Sequence, residues 1–386
     1  MTTTAQSTGL TVDVITDSDR FRALEHEWRT LYDAAPLATP FQTWEWLYSW
    51  WEVYGVPERL RLVTVHDGDQ LTGVLPLTVT GAGRLAFIGT GLSDHLDALV
   101  DPARATEVVN AWVTGLYRSP GLRLLDLHEV RPEAAVWQLY HRWPGRTRHY
   151  RQSTCTEFDV APLDDLLAKW SKSTRTAARV TRNRMSKNGY RLHWSAPDEI
   201  GVMATELVAD HLRTWEGRAI TPAHAEPRFV QFVRTVCERL ARRDQAALIR
   251  LEPPDGAEDP MQLTALMLVG HEYVGGWLSA DNETARRRLS IALAESLFGI
   301  EAANRLGIGV VSLLRGLEEG KLKVHERVKP NHRLLLAGGG AAATATWLGQ
   351  VAPIATIARL KDWERHSATG QRVTHRLRAV RQRLRR

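Results

Sequence analysis

One run of elements near the C-terminal end constrains this chain more than any other feature. Ala246 to Leu251, Leu263 to Val269 and Tyr273 to Ser279 are short apolar runs divided by polar turns, and they read as three strands. Residues 287–307, RRLSIALAESLFGIEAANRLG, come next. Leu293, Leu297, Ile300 and Ala303 recur there at helical spacing, Gly307 is placed to end the helix, and Ile308 to Leu314 reads as a further strand. A helix that starts straight after a strand presents unpaired backbone N–H groups and the positive end of its dipole, so a phosphate is stabilised there without a dedicated side chain. Arg287 adds a charged clamp. The same spacing also describes an ordinary core-facing amphipathic helix, and the surrounding strands are what favour the phosphate cradle.

The first half of the chain follows a comparable plan. Asp17 to Ala34 is helical in pattern. Phe41 to Gly55 places Trp46, Trp50 and Tyr54 on one stripe of a second helix, whose default reading is a packed core element. Leu60 to Val65 and Leu71 to Val79 read as strands joined through Asp67-Gly68, a hairpin signal, and Leu85 to Gly89 as a third. Helix-like Thr106 to Leu116 and strand-like Leu122 to Leu127 close the unit. After an extended piece at Thr156 to Val160, helices follow across Leu163 to Asn188, Ile200 to Glu216 and Arg228 to Arg242. No residue-level repeat accompanies the shared plan. For 386 residues this predicts an α/β chain with one domain over residues 1–150, a second over 151–335 carrying the loop, and a Gly/Ala-rich and arginine-rich segment over 336–386.

Composition excludes several classes. The two cysteines, Cys155 and Cys237, form no metal-type spacing with histidine, so neither a disulfide framework nor a metal centre is expected. Met1 to Gly9 is polar and lacks the basic start and apolar stretch of a signal peptide, which points to the cytoplasm. Leu334 to Ile357 carries no charge and is long enough to span a bilayer. Its Gly, Ala and Thr content, with Gln350 and Pro353, predicts a buried or docking helix instead. The net charge of +6 favours anionic partners. It concentrates in Lys172, Arg175, Arg179 and Arg182 on one helix face and in the tail from Arg372 to Arg386, and each is either a solvated face or a track for phosphates such as those of tRNA.

Several short motifs, taken in order, resemble the CelD-type branch of the GNAT acyltransferase superfamily, which is related to the Fem-type aminoacyl transferases. They are Phe41-Gln42-Thr-Trp-Glu45-Trp46-Leu47 with Trp50-Trp51, then Ile88-Gly89 leading to Asp94-His95-Leu96-Asp97, and the basic helix of Arg175 to Arg184. His211-Leu-Arg-Thr-Trp215-Glu-Gly-Arg218, the loop after Arg287, and Leu314-Arg315-Gly316 followed by Lys321 complete the set. Arg287-x-x-Ser290-x-Ala292 matches the R-x-x-G-x-A pattern with which GNAT enzymes hold coenzyme A, with Ser290 in the glycine's place. The resemblance implies two tandem GNAT-like folds, each a mixed, mainly antiparallel sheet flanked by helices, and a basic C-terminal helical tail. It also implies an acyl-CoA co-substrate bound by Arg287, Ser290, Ile291 and Ala292, no metal, and a small amine acceptor such as a metabolite or sugar-like precursor.

Acyl transfer to an amine needs a polarised carbonyl, a neutral amine and a proton acceptor. GNAT-like folds polarise the carbonyl with backbone at a splayed strand, here around Tyr273 to Ser279, and the absence of a G-x-S-x-G elbow agrees with that. Asp94 and Asp97, with His95 between them, are the candidates for binding and deprotonating an ammonium. Their alternative reading is an Asx-turn or helix cap. Lys321 and Arg315 are placed to meet phosphate or the carbonyl oxygen, and Trp46, His95, Trp215 and Arg218 to wall the acceptor pocket. Two other readings stay open: an aminoacyl-tRNA donor, as in the Fem-type relatives, and a non-catalytic scaffold in polysaccharide assembly.

Overall fold

The computed structural model describes residues 9–187, 189–216, 221–316, 321–324, 326–351 and 353. A single mixed sheet runs through them. Its first half is the antiparallel meander β1 (Leu10–Ile15), β2 (Leu60–Asp67), β3 (Gln70–Gly81) and β4 (Arg84–Phe87), with β5 (Leu99–Val100) clipped onto β3 and β6 (Leu124–Val130) lying parallel to β4. After β7 (Thr147–Asp159), the second half repeats the plan. The strands β8 (Arg191–Trp194), β9 (Ala246–Glu252), β10 (Leu263–Val269) and β11 (Val274–Asp281) form a meander, and β12 (Val310–Arg315) lies parallel to β11. The last strand is β13 (Arg327–Ala337).

The spatial order, β1-β2-β3-β4-β6-β13-β7-β12-β11-β10-β9-β8, reads the same from either end, with its centre between β13 and β7. The halves exchange strands there. β13, from the end of the described chain, pairs with β6 of the first half, while β7 pairs with β12 of the second, and the two central strands are zipped from Arg327↔Glu157 to Leu336↔Thr147. The 150/151 division falls inside β7 and the 335/336 division inside β13.

Helices cover both faces. They are α1 (Ser18–Ala23), α2 (Glu25–Ala34), α3 (Trp44–Tyr54), α4 (Ala105–Tyr117), α5 (Val136–Arg142), α6 (Leu163–Lys169), α7 (Lys172–Ser186), α8 (Ile200–Thr214), α9 (Arg228–Ala241), α10 (Glu283–Arg288), α11 (Ile291–Leu306) and α12 (Ala341–Thr346). α9 shows why such segments dock: Phe229, Phe232, Val233, Val236, Cys237 and Leu240 fall on one stripe and all are buried, each large side chain contributing about 1.5–3 kcal/mol. α3 starts where the Thr43 hydroxyl accepts from Trp46 N, and it packs Trp46 edge-on against Phe232 of α9 at 5.2 Å. That contact merges the α1–α3 layer and the α8–α9 layer into one core, so the halves share their interior as well as their sheet.

The uncharged segment from Leu334 is not one helix. Leu334 and Leu336 enter one core and Leu335 a smaller one across the sheet, a strand alternation that ends β13 before α12 begins. No helix among the described residues is long and apolar enough to cross a membrane. The arginine tail from Arg372 to Arg386, and Arg218, lie outside the described residues.

Candidate active-site cleft

β11 and β12 share only two rungs, Val274↔Val311 and Gly275↔Ser312, and then diverge. A bulge drives them apart: Leu266 pairs with Leu278 and Met267 with Gly276, so Trp277 has no opposite residue on β10 and β11 bends at that point. The gap opens a cleft of about 450 Å³ that passes through the sheet. On the α11 face it is lined by Ala265, Met267, Val311 and Leu313, with Ile291 and Ala292 at the head of the helix. On the α8 face it is lined by His211, Thr214, Trp215, His224 and Lys321.

α11 begins without a side-chain cap at Ser290, whose φ of −82° any residue adopts, so serine replaces glycine there without backbone strain. Its first two residues, Ile291 and Ala292, line the cleft. Ser290 N donates to Thr181 Oγ1 of α7 at 3.3 Å, and the Arg184 side chain donates to Arg288 O, which brings the basic helix against the donor loop. Thr174, Ala178, Thr181 and Met185 of α7 face inward, while Lys172, Arg179 and Arg182 stay exposed. Arg287, on the last turn of α10, is 65% exposed and lies 3.9 Å from Glu283. At the other end Gly307, at φ 70°, closes α11 in the left-handed conformation glycine allows.

Asp94 and Arg315 come together, but beside the cleft rather than in it. Asp94 Oδ1 lies 3.1 Å from Arg315 Nε and Oδ2 accepts from Arg315 N, while Glu129 Oε1 lies 3.2 Å from the same guanidinium. Burial pushes the Asp94 carboxyl up against the pull of Arg315, and burial opposes the Arg315 charge that Asp94 and Glu129 nonetheless hold in place. Asn331 of β13, fully buried, donates to Asp94 O and to Glu129 Oε2, and Ser153 of β7 also donates to Glu129. The cluster therefore joins β6, β7, β12 and β13 at the exchange. Glu129 and Leu314 each hold φ at 52°, costing roughly 1–3 kcal/mol apiece, and each is the next-to-last residue of its parallel strand.

Asp97 has a different occupation. Its carboxylate accepts from Ala98 N, Ala135 N and Val136 N at 2.6–2.9 Å and so caps α5, while burial raises its pKa to about 6. His95 is buried with Nδ1 at 2.9 Å from the Tyr273 hydroxyl, and burial holds it well below its ordinary pKa. Trp46 is fully buried, donates to Ser93 Oγ and packs on Trp277, so it backs the cleft wall without reaching the cleft. Lys321 lines the cleft and donates to Arg315 O at 3.0 Å. Cys155 and Cys237 are buried thiols pushed upward by burial, unlike activated nucleophiles.

Sequence reasoning missed His224 and the bulge at Trp277, and it gave Ser279 only as the end of the splayed strand. His211 Nδ1 lies 2.8 Å from Ser279 O, and His224 Nδ1 lies 3.3 Å from His211 Nε2. Only the strand bend and the turn after α8 bring them together, and neither leaves a local signal.

Comparison with known proteins agrees with this geometry. Residues 172–322 match an acetyltransferase (GNAT) domain family. The fold is similar to that of FemX, at TM-score 0.57 and 11% identity over 80% of this chain and 95% of that one. A C-terminal domain from a provisionally named lysylphosphatidylglycerol synthetase of Agrobacterium fabrum gives 0.54 and 12% over 84% and 94%. L-PGS from Bacillus licheniformis gives 0.51 and 13% over 82% and 95%. No curated protein matches the chain in sequence. The second half thus carries the region that matches a GNAT domain, and the chain as a whole has two GNAT-like folds in tandem.

Proposed function

We propose that the protein is an N-acyltransferase, nearest the CelD-type branch, that moves an acyl group from an acyl-CoA thioester to the amine of a small metabolite or sugar-like precursor. The observation that carries this reading is that an uncapped helix N-terminus and a gap through the sheet open into one cleft. The pyrophosphate would sit at the helix end on the N–H groups of Ile291 and Ala292, beside the Ser290 N–H that Thr181 holds, with Arg287 as its clamp, and the thioester arm would lie along Ala265, Met267 and Val311. β11 backbone beyond the last shared rung would polarise the carbonyl, and the amine would arrive from the α8 face past Trp215 and Lys321. Asp94 serves this site from behind by fixing Arg315, and Asp97 anchors α5 in the first half. Calorimetry with acetyl-CoA tests the donor half: Arg287→Ala should weaken binding by about 1.5–3 kcal/mol with the fold intact. Unchanged affinity removes the assignment.

An aminoacyl-tRNA donor is the second reading, favoured by the FemX-like fold and by the basic face of α7 lying against the donor loop. Parallel assays with acyl-CoA and charged tRNA across a salt series separate the two. A tRNA track along Lys172, Arg175, Arg179 and Arg182 should show a log–log salt slope of about −0.7 per phosphate contacted on a single strand. Transfer from neither donor would leave the scaffold reading.

A further inference from the structure

The hydrogen-bond chain on the acceptor face has a fixed direction. Ser279 O is a backbone carbonyl and only accepts, so His211 carries its proton on Nδ1. A neutral His211 then offers a lone pair at Nε2, and His224 must donate to it from its own Nδ1. That leaves the basic lone pair of His224 at Nε2, on a ring that lines the cleft, stacks on Phe229 at 4.4 Å and meets Trp277 edge-on.

We infer that His224 is the general base of this site and His211 the residue that positions it, so that the acceptor is a primary amine delivered to His224 Nε2. This rests on the acyl-transfer reading above. As the amine nitrogen bonds to the thioester carbon, the carbonyl π pair moves onto oxygen and His224 Nε2 takes one amine proton. Collapse re-forms the carbonyl, breaks the carbon–sulfur bond and sends that electron pair to sulfur. The thiolate then recovers a proton from His224, and the products are amide and free thiol. The transient imidazolium shares its charge along Nδ1–H to His211 and on to the Ser279 carbonyl.

The surroundings keep the ring neutral, the form in which Nε2 can accept a proton. Burial, His211 and the Arg315 charge hold the His224 pKa at about 4, and burial lowers that of His211, so both rings are neutral near pH 7. Among the described residues, the charged or titratable groups that act on His224 are His211 of α8 and Arg315 of β12, and Lys321, Asp281 and Glu295 line other parts of the cleft.

Two measurements test the pair. Nitrogen-15 spectra of the histidine rings in the free protein should show both His211 and His224 as neutral Nδ1–H tautomers at pH 7, with His224 keeping that form down to about pH 5. An Nε2–H tautomer at His211 overturns the relay whatever the donor proves to be. Thiol release from acetyl-CoA with ethanolamine, glucosamine or lysine should fall on the order of 10²–10⁴-fold in kcat for His224→Gln, with acetyl-CoA affinity unchanged. His211→Phe should lower kcat while His211→Asn, which keeps a donor for Ser279, recovers part of it. A His224→Gln enzyme within about threefold of wild type refutes the base. Failure of the wild-type protein to bind acetyl-CoA refutes the acyl-CoA reading instead, and the tautomer result still judges the relay.

Discussion

The two parallel strand pairs start alike and end differently. β4 and β6 share two rungs, Arg84↔Leu124 and Leu85↔Leu125, as β11 and β12 do, and a left-handed residue sits near the end of β6 and of β12. In the first half the gap beyond them is filled. The chain leaving β4 buries Ile88, Leu92, Ser93 and Leu96 there, with Ser93 tied to Trp46. Three residues before the left-handed position, the first half has Asp126, bound by Arg333 at 2.6 Å, while the second half has Val311, a wall of the cleft. Neither α4 nor α11 has a side-chain cap of its own, but the approach to α4 is occupied by the Asp101 carboxylate, which caps the turn of Pro102 leading into it. Shared topology therefore supplies the splay, and a few side chains decide whether it becomes core or site.

The largest expected effect tests whether the halves behave as one body. Arg315→Met leaves Asp94 and Glu129 buried beside an apolar group, and breaking buried pairs of this kind costs about 3–5 kcal/mol. Urea unfolding should stay a single transition at lower midpoint. A second transition confined to one half would break the picture of a shared core. Next comes a transplant of the first half's cap: Ser290→Asp places a carboxylate at the α11 N-terminus. It should raise stability slightly and cut acetyl-CoA affinity by about 1.5–3 kcal/mol, because the donor phosphate and the carboxylate compete for the same N–H groups. Calorimetry showing unaltered affinity would mean that the helix end holds no phosphate.

Asp126 gives a pH test of the filled gap. Burial alone would raise its pKa, but hydrogen bonds from His128 and Arg333 outweigh that and hold it below the ordinary 3.8. A depressed carboxyl pKa contributes stability above the unfolded value and loses it as pH falls through the folded one. Asp126→Asn should therefore cost about 2 kcal/mol at pH 7, with the difference from wild type shrinking below about pH 4. A difference that persists unchanged into acid would assign the loss to packing.

Much of the second half was legible because each element carries its own period. The three strands, the loop, α11 and the Gly307 stop all lie near their sequence positions, since alternation, helical spacing and a left-handed glycine are local facts. The strand exchange was not legible, because the uncharged run from Leu334 reads as a helix, only Thr156 to Val160 of β7 reads as extended, and a strand pattern by itself fits any neighbour. The pairing of Asp94 with Arg315 spans 221 positions and depends on that exchange. His211 stood in a quoted motif, yet its partner His224 gave no signal of its own in an irregular turn. Asp97 shows the opposite case: an acidic turn residue fits both a ligand and a cap, and only the three N–H groups around it tell which.

The smallest effect separates the arginines that precede the two helices. Arg104 opens α4 and is held by Asp67 and by Glu107 at 2.5 Å, so its charge is used within the fold. Arg287 precedes α11 and, among the described residues, pairs only with a distant Glu283, which leaves its charge more available to a ligand. Exposed ion pairs contribute little, and Arg104→Ala should lower Tm by about 2 °C, a difference that high salt erases. Arg287→Ala should leave Tm unmoved without ligand and reduce the Tm gain on adding acetyl-CoA, since a ligand that binds only the folded state stabilises it in proportion to its affinity. Equal losses of Tm in the two unliganded variants would make Arg287 a structural residue like Arg104. The second half would then differ from the first only in its open gap.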